Sequence, residues 1–165
     1  MDAKTFQKIA RTQFRYTAWV VAGNLKDLTD EQGLAQPAAG NNLNWVAGHV
    51  ANYRGSTLRL LGQDCPFAAD KYDRYERGNP ALINPGEAVP LTEILADFMA
   101  TEEGLQAGLA GLTTEALAAK APFSPSDNPA ETVGTLLAGL VFHEGYHAGQ
   151  LGLLRRLAGA EGVVK

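Results

Sequence analysis

Three side chains in this sequence have the type and spacing to hold a metal ion. His143 and His147 stand four residues apart in Phe142-His143-Glu144-Gly145-Tyr146-His147-Ala148-Gly149-Gln150-Leu151. On an α-helix that interval puts both imidazoles on one face, about 40° apart around the axis and about 6 Å apart along it. Helices commonly offer two imidazoles to one divalent ion in this way. The third histidine, His49, lies far upstream in Asn44-Trp45-Val46-Ala47-Gly48-His49-Val50. If it faces the pair, three neutral nitrogen donors converge and at least one coordination position stays open. That arrangement is catalytic in style, whereas structural zinc sites are usually closed. Water in the open position would have a lowered pKa and could act as nucleophile or base.

The competing reading makes these histidines hydrogen-bonded core residues. A single histidine on an apolar face is more often that. Two at this spacing cost desolvation unless each nitrogen finds a partner, and a metal satisfies one nitrogen on each at once.

His143-Glu144-Gly145-Tyr146-His147 also matches the short zinc-protease pattern, in which the glutamate is the general base. A protease of that kind takes its third ligand downstream. Glu161 is the only carboxylate side chain after His147, and on a continuous helix it would lie about 20 Å further along. No strand-rich half precedes the motif to bind a peptide by β-pairing. The protease reading is rejected, while Glu144 stays a candidate general base. Its other reading is a solvated or hydrogen-bonded carboxylate.

Around His49 the expected helix face carries Trp45, Val46, Asn52, Tyr53, Ser56 and Leu60. Aromatic walls mixed with hydrogen-bonding groups describe a ligand pocket better than an aliphatic core stripe. Trp45, Asn52, Tyr53 and Ser56, with Gln150 from the paired-histidine helix, are the candidate pocket residues. Tyr146 points about 100° away from His147 around a helix and is expected to pack against a neighbouring helix. Cys65 precedes a proline, and nothing near it argues for a reactive thiol.

Four helices must position these groups. The apolar spacing of Phe6, Ala10, Phe14, Thr17, Val21 and Leu25 predicts helix one over residues 3–26. Residues 27–42 read as a loop with one helical turn at most. Helix two is expected from residue 42 or 43 to about 61, with Asn41 or Asn42 as N-cap. A long connection follows to residue 89, broken by Gly62, Pro66, Gly78, Pro80, Pro85 and Gly86, with residues 71–77 exposed or partly helical. Helix three begins after Pro90 and is weakened by Gly104, Gly108 and Gly111; residues 113–119 read as a separate short helix. Helix four starts at Pro129 or Thr132, with Asn128 as a candidate N-cap, and runs to Leu157. Its core line is expected through Leu136, Leu140, His143, His147, Gln150, Leu151 and Leu154, with Glu144 at the edge. A row of small residues, Gly134, Ala138, Gly145, Gly149 and Gly152, implies close approach by another helix. That helix belongs either to a two-fold partner or to the same chain.

The chain as a whole sets bounds. Its 165 residues suit one domain with a real core. A net charge of −4 argues against nucleic acid as a partner. One cysteine excludes an intrachain disulfide and a cysteine-based zinc site. No apolar run reaches membrane-spanning length, and the charged N-terminus is not a signal peptide. The expectation is a cytoplasmic protein.

The run from His143 to Leu151, followed by Leu153-Leu154-Arg155-Arg156 and a glycine, resembles the end of DinB-like (damage-inducible, YfiT-type) proteins. Asn44-Trp45-Val46-Ala47-Gly48-His49 is similar to the upstream histidine helix of that family. The resemblance covers nearly the whole chain. It implies an all-α fold, a four-helix bundle with a long crossover connection. It also implies a metal triad of His49, His143 and His147, with zinc, nickel or iron as the divalent ion, and a homodimer formed by helix packing. Relatives include metal-dependent transferases that use a low-molecular-weight thiol such as bacillithiol or mycothiol, an isomerase and proteins assigned as hydrolases. The implied function is a metal-dependent enzyme, a thiol-dependent transferase or a hydrolase, acting on a small molecule. The alternatives are a non-catalytic module that binds a metal or small ligand, and a dimeric helical protein without turnover. Fold does not choose among these.

Overall fold

A computed structural model describes residues 2–80 and 82–164. Among them the chain is helical with no sheet; the only strand-type pairing is an isolated bridge between Lys120 and Thr132. The all-α expectation holds.

Helix α1 spans Ala3–Leu25, opened by Asp2, whose side chain accepts the Thr5 amide. It buries Ala10, Phe14, Ala18, Val21 and Leu25, a stripe at intervals of three and four. Helix α2 is the single short turn Asp30–Leu34, closed by a capping box between Thr29 and Gln32. Helix α3 spans Leu43–Leu60 and is capped by Asn42, one of the two expected caps. It is buried on nearly every side.

The connection from α3 to the next helix is more buried than its composition suggests. It contains two 3-10 turns, Asp73–Tyr75 and Pro85–Glu87. Tyr72, Tyr75 and Leu82 along it are fully buried; of the two readings for residues 71–77, exposed or partly helical, the 3-10 turn Asp73–Tyr75 bears out the second. Gly48 of α3 explains how: a Cβ there would lie 2.3 Å from the Tyr75 ring. A tyrosine therefore packs flat on the helix backbone.

The third expected helix is two. α4 spans Leu91–Ala100 and α5 spans Glu102–Ala110. Between them Thr101 is buried, and its hydroxyl donates to the Phe98 carbonyl. Side-chain capture of a backbone acceptor competes with the helix ladder at this point. Helix α6 is Thr114–Ala118, as expected.

Helix α7 spans Val133–Leu157, and its N-cap is Thr132, in a capping box with Thr135. Asn128 instead accepts the Ala130 amide in a local turn. The buried line of α7 is also rotated from the expected one: it runs through Leu137, Val141, Glu144, Ala148 and Leu151, together with Leu136 and Leu140. His143, His147 and Gln150 flank it and are only half-buried, because they border a cavity and not packed core.

Helix α1 packs against α7, α5 and α4, and α3 packs against α7, α4 and α5. Of the small-residue row, Gly145 and Gly152 face Thr17 and Asn24 of α1, Gly134 faces Leu117, and nothing among the described residues approaches Gly149. The close neighbour at those glycines is in the same chain.

Candidate metal centre

His49 reaches the centre from the middle of α3, and His143 and His147 from successive turns of α7. The Nε2 atoms of His49 and His143 are 3.1 Å apart, and those of His147 and His143 are also 3.1 Å apart. Two nitrogens bound to one tetrahedral zinc stand about 3.3 Å apart, given bonds of about 2.0–2.1 Å. The three rings are thus already at ligand separation. They are the one cluster of three or more potential ligand side chains among the described residues.

Groups behind two of the rings set their tautomers, while His143 Nδ1 has no partner among the described residues. His49 Nδ1 lies 2.7 Å from the Tyr75 carbonyl oxygen. A carbonyl can only accept, so Nδ1 carries the proton and Nε2 presents a bare lone pair. His147 Nδ1 donates in the same way to Gln150 Oε1 at 2.6 Å. Gln150 Nε2 in turn donates to the Tyr146 hydroxyl at 3.1 Å. Two bare lone pairs therefore aim at the His143 Nε2 atom, an arrangement that a cation satisfies fully and that one N–H can satisfy only in part. The donor set fits a divalent metal. Outer-sphere partners of this kind orient ligands and raise their basicity.

Aromatic rings hold the imidazoles in place. Trp45 stacks on His49 with centroids 4.8 Å apart, and Tyr53 lies 4.2 Å from the His143 ring. Burial, reinforced by the neighbouring His147 and His49, pushes the pKa of His143 down to about 3. Burial also lowers those of His49 and His147. All three rings are neutral at physiological pH and ready to ligate.

A cavity of about 830 Å³ opens on the triad, lined by Trp45, Tyr53, Phe142, Tyr146, Gln150, Leu153 and Leu157 among others. Of the candidate pocket residues, Trp45, Tyr53 and Gln150 line the cavity. Asn52 and Ser56 are not in the wall; one is buried in α3 packing, and the other accepts a hydrogen bond from Arg59. Tyr146, expected against a neighbouring helix, lines the cavity and is more than half exposed.

The matching family model is that of the DinB superfamily, over residues 13–151. The chain belongs to the DinB superfamily. No curated protein matches it.

In this DinB protein Glu144 turns away from the triad. Its carboxylate receives Nε and Nη2 of Arg54, each at 2.6 Å, and the Thr17 hydroxyl. It is buried and does not line the cavity. Its contacts with Arg54 and Thr17 hold the carboxylate out of the cavity wall. The expected base is thereby spent in a structural ion pair. Sequence pattern does not single out Arg54; a lone arginine in a helix rich in small and apolar residues, Ala47 to Leu58, is the available signal.

Proposed function

We propose that this protein is a metal-dependent enzyme of the DinB superfamily, acting as one domain, in which His49, His143 and His147 hold a divalent ion that activates a low-molecular-weight thiol. The observation that carries the reading is the convergence of three Nε2 atoms, two of them fixed as lone pairs by Tyr75 and Gln150, at the wall of a cavity large enough for a small molecule. A zinc, nickel or iron ion held there supplies Lewis acidity that lowers the pKa of a thiol or water reaching it.

The residues around the site favour thiol transfer over hydrolysis. Glu144 is tied to Arg54, and the one carboxylate in the cavity wall among the described residues, Glu131, accepts from Ser124 and Thr135. No free carboxylate among the described wall residues stands ready to take a proton. A thiol, with an ordinary pKa near about 8.5, needs less help than water, at about 15.7. Trp45 and Tyr53 pack against the His49 and His143 rings and fix the imidazole planes.

The direct test is thiol-dependent consumption of an electrophile such as 1-chloro-2,4-dinitrobenzene by the zinc-loaded protein, with glutathione, bacillithiol and mycothiol as donors. Turnover with at least one thiol, lost in His147→Ala, is expected. Full turnover in that variant overturns the reading. Metal binding with no turnover of thiols or esters returns the protein to the non-catalytic binding module.

The homodimer we place on the outer face of α1, where Ile9, Tyr16 and Trp19 are exposed. No described helix is long and apolar enough to cross a membrane.

A further inference from the structure

Resting on the reading of the cavity as the ligand site, we propose that its occupant is an amphiphilic anion, a small molecule with an apolar body and an anionic, acceptor-rich group. Two sets of observations meet here. The first is the wall contributed by α7. Phe142, Leu153 and Leu157 are 75%, 58% and 66% exposed, and all three line the cavity. Large apolar side chains left open in one concave wall gain from a ligand body that covers them.

The second is the imbalance of polar groups. Arg77 lines the cavity, and no hydrogen bond or ion pair from the described residues engages its guanidinium there. The loop that presents Arg77 is the one whose Tyr75 carbonyl orients His49, so the cation is carried on the segment that braces the site. Glu131 is already occupied by two hydroxyl groups. The group in this wall that lacks a partner among the described residues and that a ligand can reach is thus a cation. Three neutral imidazoles also leave the charge of a divalent ion uncompensated. A neutral ligand without acceptors would leave this charge and the guanidinium unmatched, and an unpaired donor is costly once a ligand displaces its water.

A matched pair of fluorescent probes tests this. 8-Anilinonaphthalene-1-sulfonate and N-phenyl-1-naphthylamine share an apolar body, and only the first carries a sulfonate. Titrated into zinc-loaded protein, the sulfonate is expected to bind about tenfold more tightly than the neutral amine. Arg77→Gln should remove most of that difference and leave the neutral amine unchanged. Equal binding of the two probes, no binding of either, or a sulfonate affinity indifferent to Arg77→Gln overturns the proposal. Zinc content is read on the same samples by mass spectrometry, and the probe ratio is repeated on metal-free His49→Ala protein. A failure of the metal reading then shows as missing zinc, separately from the Arg77 result.

Discussion

Arg54 on α3 and Glu144 on α7 meet in a buried two-point ion pair, Nε and Nη2 each 2.6 Å from a carboxylate oxygen. The guanidinium is fully enclosed, lying over the rings of Phe14 and Phe98, and its Nη1 reaches Glu102 at 2.8 Å. Glu144 sits between the two α7 histidines in sequence, and Arg54 lies a little over one turn beyond His49. The planar fork fixes how the two helices sit against each other, so the pair sets the register at which His49 meets His143 and His147.

Glu144→Gln should therefore act on stability. Breaking a buried pair from one side costs about 3–5 kcal/mol. We expect about 3 kcal/mol in urea unfolding, the low end of that range, because the amide keeps one acceptor for Arg54. Metal content per folded chain should not change, because the retained amide oxygen still accepts from Arg54 and keeps the two helices in register. Unaltered stability with collapsed turnover would instead make the carboxylate a catalytic base.

One divalent ion per chain is expected by mass spectrometry of untagged protein purified without a nickel column. His49→Ala, His143→Ala and His147→Ala should each abolish it, since two imidazoles alone make a weak site. Absence of metal from the wild type, with stability unmoved by added zinc, would reduce the triad to core histidines.

Gln150→Leu keeps all three ligands and removes the acceptor for His147 Nδ1–H. Loss of such an outer-sphere partner weakens metal binding by about 10–100-fold. Competition against a chromophoric chelator reads the change. Tyr146→Phe, one step further out, should leave metal affinity within about twofold of wild type.

The metal-free protein should lose stability as pH falls. Burial holds the folded-state pKa of His143 at about 3, and those of His49 and His147 below their ordinary value. The unfolded chain, with histidines near about 6.5, binds protons first. Stability due to these rings is complete above about pH 6.5 and declines from there toward about pH 3. Thermal unfolding at pH 8, 7, 6 and 5 measures the slope, and His143→Leu should flatten it. A wild-type slope equal to that of His143→Leu would remove His143 from the account.

Trp19→Glu tests the dimer. It should shift the protein to monomer in sedimentation equilibrium while metal content stays the same. A dimer that persists places the interface elsewhere.

Local pattern is enough for the helices that carry the histidines. The interval between His143 and His147, the Asn42 cap and the apolar spacing of α1 are properties of neighbouring residues, and helix geometry converts them directly into faces. The DinB motif and its triad are legible for the same reason. Tertiary structure decided the rest. Periodicity cannot tell a packed face from one bordering a cavity, so it draws the core line of α7 through the histidines and not through Leu137, Val141 and Ala148. It cannot show that Glu144 pairs with an arginine 90 positions away, which turns an apparent base into a helix clamp. Nor can it bring the Tyr75 carbonyl to His49, because a loop rich in glycine and proline has no period to read. One-dimensional spacing reports only what repeats along a helix; the partners of a buried charge or an imidazole nitrogen come from distant segments and are set when the core closes.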